Sequence, residues 1–275
     1  METSMERGTG LSGDKVGLDG PEIVVKYSER PDRWDFLNGQ AMYMADTGFP
    51  FVEILGIAHG RYWMRRYPEI GLDGREHMLR ASLIAAKRSL VRLWDVDNPR
   101  FVDQNWKSKH LARLRELFQI NDASGVIQRG LLNAFEAVAD SAHNLTVCAA
   151  THGDATLDNA VVDPVEGNGF RWIDAIPPSL IIPAFKAVDL GKLLQSSHGW
   201  EWFIEQSEEP SKIPCPAPQD SVVLEDETFV DIYAARYFHA LAYLRILRYA
   251  TMARRPDIYD YAINKLLEAI DGCAA

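Results

Sequence analysis

The chain has 275 residues, 47% of them apolar, and a formal net charge of −10, so it is long enough to bury a large core in one domain or two lobes. The acidic balance argues against a nucleic-acid partner, whose phosphate backbone is met by clustered Lys and Arg, but it leaves room for a nucleotide held by a few local donors. No apolar run approaches the ~18 residues of a membrane span, Met1 to Arg7 have no apolar signal core, and Cys148, Cys215 and Cys273 form neither a metal pattern nor a disulfide framework; the expected setting is cytoplasmic, with no membrane partner.

The first 67 or so residues read as β-rich. Gly8-Thr9-Gly10-Leu11-Ser12-Gly13-Asp14-Lys15-Val16 fits Gly-x-Gly-x-x-Gly-x-x-Val. Glycines in such a hairpin let backbone N–H groups come close to phosphate oxygens. Glu22 to Tyr27 predicts a buried strand, and Asp32 to Asp46 a helix closed by Thr47-Gly48-Phe49-Pro50. Phe51 to Ala58 predicts another strand. Arg61 to Tyr67 predicts a third, after a turn at His59-Gly60.

The pattern then turns helical. Leu79, Leu83, Ala86, Leu90 and Leu93 recur at helical spacing, as do Leu111, Leu114 and Phe118, and Ile127, Leu131, Phe135 and Val138. Leu145 to Ala149 predicts a β-segment leading into His152-Gly153-Asp154. Ala160 to Val162 and Phe170 to Ile173 predict hairpin arms joined by a Pro- and Gly-containing turn. Glu208 to Asp226, rich in proline, predicts a surface loop. Two long helices close the chain, on Val230, Tyr233, Tyr237, Leu241 and Leu244, then on Ile258, Tyr261, Ala262 and Leu266. The expected fold class is α+β, with a small β-rich lobe over residues 1–70 and a larger, mainly helical lobe over 71–275.

The run His152-Gly153-Asp154-Ala155-Thr156-Leu157-Asp158-Asn159 is followed by Asp174, at the end of Phe170-Arg171-Trp172-Ile173-Asp174. This arrangement resembles the catalytic and metal loops of kinase-fold phosphotransferases, in the branch of aminoglycoside phosphotransferases and choline kinases. The resemblance implies a two-lobed protein-kinase-like fold and an ATP- and Mg2+-dependent transfer of the γ-phosphate to a small-molecule hydroxyl. It implies that Asp154 orients the attacking hydroxyl or accepts its proton, and that Asn159 and Asp174 are magnesium ligands. His152 would brace the loop. Asp189, in Val188-Asp189-Leu190-Gly191-Lys192, would support it from behind. Gly8, Gly10, Ser12, Gly13 and Lys26 would position the nucleotide phosphates, with the base near Trp63 to Pro68. The bland reading makes Asp154 and Asn159 turn residues and Lys26 a solvent-facing strand lysine.

The chain departs from the family where a helix glutamate is expected to pair with the lysine, because Gln40 stands near that position. Asp35 is an alternative and the partner is left open. The acceptor cues conflict. Gln195 to Asp231 is acidic, which suits either a cationic acceptor such as an aminoglycoside or a plain solvated surface. Trp200, Trp202 and Phe203 suit either a box for a quaternary amine or core packing. The segment Asp189 to Trp200 also resembles sugar-pathway phosphotransferases, which points to a sugar or polyol hydroxyl. A protein kinase and a non-catalytic nucleotide-binding pseudokinase or scaffold are the rival readings; no Ala-Pro-Glu anchor for a peptide-binding segment follows Asp174.

Overall fold

The computed structural model describes residues 7–9, 14–70, 76–95, 105–165, 169–178, 183–201 and 217–274. The chain begins with an antiparallel sheet of β1 (Arg7–Thr9), β2 (Lys15–Leu18), β3 (Ile23–Tyr27), β4 (Ile54–Ala58) and β5 (Arg61–Arg65), in the order β1-β2-β3-β5-β4. Alternation decides which face turns inward. Tyr62 and Met64 of β5 are buried, and Lys26, paired across the ladder with Tyr62, is buried beside them. Helix α1 (Trp34–Thr47) packs on the β4–β5 side through Leu37, Ala41 and Met44, all fully buried at helical spacing. It ends at Gly48, whose φ of +70° suits a residue without a Cβ.

The second strand is shorter than the expected Phe51 to Ala58. Phe51 and Val52 are drawn instead to the hairpin of β6 (Ala160–Asp163) and β7 (Gly169–Trp172). There the Val52 N–H donates to the Trp172 carbonyl at 3.1 Å and the Trp172 N–H donates to the Pro50 carbonyl at 3.0 Å. Trp172 is fully buried, and its indole N–H donates to Ser89 Oγ at 2.8 Å. The hairpin therefore ties the sheet to the helical part.

The helical part holds α2 (Glu76–Trp94), α3 (Trp106–Ile120), α4 (Gly125–Asp140), α5 (Lys186–Ser197), α6 (Asp220–Leu224), α7 (Phe229–Met252) and α8 (Pro256–Ala274). The predicted apolar stripe of α2 is buried at every position from Leu79 to Leu93. Helices α5 and α7 cross closely, and Gly191 permits it. A Cβ there would lie 2.8 Å from both the Ala235 carbonyl oxygen and Phe238 Cβ. Helix α7 opens on a reciprocal cap in which Thr228 Oγ1 accepts from the Asp231 N–H and donates to the Asp231 carboxylate. The 18-residue apolar helix of a membrane span is absent among the described residues.

Two expectations are corrected. Leu145 to Ala149 does not form a strand; only Val147 bridges, to Phe185. The Thr146 backbone N–H is taken by the buried Asp231 carboxylate at 3.1 Å, which removes a donor from any ladder. Of the expected loop from Glu208 to Asp226, residues 208–216 lie outside the described residues, but Asp220–Leu224 is a short helix with Val222 and Val223 buried. Apolar burial prevails there over the polar, proline-rich surroundings.

Candidate active site

The loop from Thr151 to Asn159 is fixed from three sides. From α1, the Tyr43 hydroxyl donates to the Thr151 carbonyl at 2.6 Å and lies 3.1 Å from the Thr151 N–H. From α5, Asp189 accepts the N–H groups of His152 at 2.9 Å and Gly153 at 2.7 Å, and also the Trp94 indole N–H at 2.9 Å. Burial raises the Asp189 carboxyl to about 6, against those three donors, which act to lower it. From the hairpin end, the Ile173 N–H donates to the Asn159 carbonyl at 2.9 Å. Gly153 has φ +76°, and a Cβ there would stand 2.5 Å from the Ile176 carbonyl oxygen, so the middle residue of His-Gly-Asp is set by space as well as by backbone angle.

His152 is fully buried between loop and hairpin. Its Nε2 lies 2.8 Å from the Ile173 carbonyl, and its Nδ1 accepts the Asp154 N–H at 3.1 Å. A carbonyl only accepts and an amide only donates, so the imidazole is neutral with its proton on Nε2. Burial lowers its pKa to about 4, which agrees.

Asp154 presents its carboxylate to Lys192, with Oδ1 2.7 Å from Nζ. Burial works to raise that carboxyl, but the Lys192 ammonium and the charge of Arg245 outweigh it and hold it at about 2. The Asn159 amide nitrogen donates to the Asp154 carbonyl at 2.8 Å and to its Oδ2 at 3.2 Å. Both targets are acceptors, so nitrogen faces Asp154 and the amide oxygen is left for another partner.

Asp174 follows the hairpin with φ +61°. Its Oδ2 is 2.7 Å from Lys26 Nζ, and its Oδ1 is 3.0 Å from the Tyr62 hydroxyl. The same hydroxyl lies 3.2 Å from Gln40 Oε1. The lysine partner that sequence left open is therefore Asp174, and Gln40 reaches the pair through Tyr62. Burial and the neighbouring Asp174 raise the Tyr62 pKa, so the phenol stays protonated.

The groups that Asn159 and Asp174 offer to a metal are hard oxygens, one amide and one carboxylate. A magnesium ion that keeps water and takes phosphate oxygens needs few protein ligands, so Asn159 and Asp174 fit it without an all-protein cage. Among the described residues no group of three or more His, Cys, Asp or Glu side chains is arranged for a metal. Gly8 lies within β1, which pairs with β2 as an antiparallel hairpin. Gly10, Ser12 and Gly13 lie outside the described residues, as do Trp202 and Phe203. Trp200 is buried, its ring 6.2 Å from that of Tyr261, which is core packing.

Sequence reading missed Lys192, Tyr62 and Arg245. A signal existed for Lys192, which stands three residues after Asp189 and so on the same face of a helix. Tyr62 carried none beyond its place in a strand.

No protein-family model matches the sequence, and neither does any curated protein. Solved structures do match in shape. The complex of the aminoglycoside phosphotransferase APH(2″)-IIia with GDP and kanamycin superposes with a TM-score of 0.61 at 15% identity, over 98% of this chain and 94% of that one. The ethanolamine kinase Pv091845 of Plasmodium vivax gives 0.58 at 9% identity, over 97% and 81%. The choline kinase LicA of Streptococcus pneumoniae gives 0.57 at 12% identity, over 97% and 94%. With its small antiparallel sheet, larger helical part and bridging hairpin, the chain has the two-lobed, protein-kinase-like fold of the small-molecule kinases.

Proposed function

We propose that the chain is an ATP- and magnesium-dependent phosphotransferase acting on a hydroxyl of a small molecule, with residues 1–70 as the nucleotide lobe and 71–275 as the lobe carrying the catalytic loop and acceptor site. The observation that carries this reading is the convergence of Lys26, Asp174, Asn159 and Asp154. Lys26 meets Asp174 at 2.7 Å, and Ile173, the neighbour of Asp174, is hydrogen-bonded to both ends of the His152–Asn159 loop, through the His152 ring and the Asn159 carbonyl. A turn-residue reading of Asp154 and Asn159 accounts for neither the buried Asp189 beneath the loop nor the buried lysine opposite.

In this reading Lys26 and the glycines Gly8, Gly10 and Gly13, with Ser12, hold the phosphates. Asn159 Oδ1 and the Asp174 carboxylate hold the magnesium, which supplies charge neutralisation of the phosphates. Asp154 stays ionised across the physiological range and accepts a hydrogen bond from the acceptor hydroxyl, which aims an oxygen lone pair at phosphorus. A carboxyl held at about 2 is a weak base, so its contribution is orientation, with the proton leaving late. Most of the acceleration is then positioning and preorganised charge. His152 and Asp189 keep the loop rigid while this happens.

The relatives' names give the acceptor panel: kanamycin and gentamicin stand in the solved complexes, and choline and ethanolamine in the kinase names. Phosphorus-31 NMR of ATP and magnesium with the protein, against aminoglycosides, amino alcohols, sugars, polyols and sugar acids, tests the reading. A new phosphomonoester signal that needs one acceptor supports it. Nucleotide binding with phosphate incorporated only into protein, or into nothing, rejects it in favour of a protein kinase or a pseudokinase.

A further inference from the structure

A pocket opens beside the His152–Asp154 turn, between α5 and α7. Its walls are mainly apolar: Val188 from α5, Phe238 and Leu241 from α7, and Ile176 and Pro177 from the segment after Asp174. Among the described residues two lining side chains carry charge, Lys192 and Arg245, and both are cations. Lys192 is already engaged, by Asp154 at 2.7 Å and by Gln195 Oε1 at 3.0 Å. Arg245 is not. It shares the pocket face of α7 with Phe238 and Leu241 at helical spacing, is half-buried, and makes no hydrogen bond or ion pair among the described residues. Its charge nevertheless reaches Asp154.

Among the described residues, the acidic stretch from Gln195 to Asp231 does not supply the opposite charge. Glu201 accepts the Leu157 N–H at 3.0 Å and the Ser196 hydroxyl. Glu227 sits between Lys87 and Lys186 at 2.9 and 2.5 Å. Asp231 holds Thr146. Asp220 pairs with His198 at 2.9 Å. Among the described residues none of these acids lines the pocket.

We infer that this pocket is the acceptor subsite and that it takes an anionic hydroxyl compound, one bearing a carboxylate or a phosphate, with Arg245 binding the anion. The inference rests on the phosphotransferase reading for the word acceptor, but the anion preference stands on the pocket itself. A half-buried charge without a partner gains most from an opposite charge. The guanidinium fork matches both oxyanions in two parallel hydrogen bonds. An amine-rich acceptor would bring like charge against Arg245 and Lys192. The apolar walls cover a carbon skeleton while the hydroxyl meets Asp154.

The test uses four probes with one pyranose skeleton and different charge: glucuronate, glucose 6-phosphate, glucose and glucosamine. Each is titrated calorimetrically into the protein saturated with ADP and magnesium. At least one acid should bind about tenfold or more tighter than glucose, with glucosamine weakest; which acid leads separates a carboxylate from a phosphate site. Arg245→Ala should erase the preference and Arg245→Lys should keep part of it, with the thermal midpoint and ADP affinity showing that both variants fold. Glucosamine binding as tightly as the acids, a preference that survives Arg245→Ala, or no acid binding in the millimolar range overturns the inference. So does an Arg245→Ala defect confined to kcat at unchanged acceptor KM, because Arg245 would then act on the transferring phosphoryl group. Arg245-dependent anion binding without turnover of any probe keeps the inference and counts against the phosphotransferase reading. Faster turnover of glucose or glucosamine than of the acids does the reverse.

Discussion

Lys26–Asp174 and Lys192–Asp154 are both lysine–carboxylate pairs with nitrogen and oxygen 2.7 Å apart, yet they sit in different surroundings. The first joins the sheet to the end of the hairpin, with Tyr62 and Gln40 behind it. Each half has a second claimant, since the proposed phosphates compete for the lysine and the proposed metal competes for the carboxylate. The second joins α5 to the loop within the helical part, and its lysine is also held by Gln195. In the proposed reading the nucleotide side is thus built from contacts that exchange, and the acceptor side from a contact that tunes. A buried pair whose partners can each be re-engaged avoids the cost of a stranded charge, which is what a site that loads and unloads a nucleotide requires.

Breaking the tuned side should have the largest effect. Asp154→Ala is expected to lower kcat about 10²- to 10⁴-fold with nucleotide affinity retained, as steady-state kinetics and calorimetry would show. Weaker ATP binding with normal turnover at saturation would remove Asp154 from the proposed role. On the exchanging side, Asp174→Ala should weaken magnesium-dependent nucleotide binding by more than about tenfold. A variant with wild-type magnesium dependence would release Asp174 from the metal.

A finer separation comes from Lys192→Met. Burial alone raises the Asp154 carboxyl and Lys192 lowers it, so the acid limb of kcat/KM should move to higher pH in the variant. The sign extends to stability. A carboxyl held below its unfolded pKa of about 3.9 stabilises the fold above that pH, and this support fades as pH falls through about 2. The variant should lose that support, while magnesium-dependent nucleotide affinity stays unaltered; an unmoved acid limb would contradict the tuning role.

The smallest effect concerns buried titratable groups outside the two pairs. Burial lowers His152 to about 4 and His239 to about 3. Both lie below the unfolded value of about 6.5, so the unfolded chain binds more protons and stability falls as pH drops below that value. Asp189, raised to about 6 by burial, opposes this between about 6 and 3.9, because there the folded state binds the extra proton. Burial also raises the Asp158 and Glu201 carboxyls, which act in the same direction as Asp189, so the share of His152 is read as a difference between two proteins. From pH 7 to pH 4 the thermal midpoint of His152→Gln should fall less, or rise more, than that of the wild type. An identical pH dependence in the two proteins would remove His152 from the balance.

Much of the fold was legible because local pattern and burial agreed. The Leu79–Leu93 stripe, the Ile127–Val138 stripe and the alternation of β5 each announced one buried face, and each is buried. Two of the misreadings share a cause. Leu145 to Ala149 has strand-like side chains, but its backbone is claimed by Asp231 and by Ala184, to which Cys148 N–H donates at 2.7 Å. Phe51 and Val52 read as strand and were drawn into contact with Trp172 instead. In both places a partner distant in sequence took the hydrogen bonds.

The site divides in the same way. His152, Asp154, Asn159 and Asp174 were legible because they lie in one loop and one hairpin, where spacing along the chain fixes position in space. Sequence also fixed Gly153, whose positive φ no side chain adopts easily. It did not decide that Lys26 would meet Asp174 rather than a helix carboxylate, that Lys192 would hold Asp154, or that Arg245 would stand near Asp154 without a partner among the described residues. Those relations join a sheet, a hairpin, α5 and α7, and only the packing of Gly191 against α7 and of Trp172 beneath the hairpin brings them within a few ångströms. Charge interactions fall off with distance and with solvent, so which charges belong together is a property of the tertiary structure, whereas which residues could do the chemistry was written in the chain.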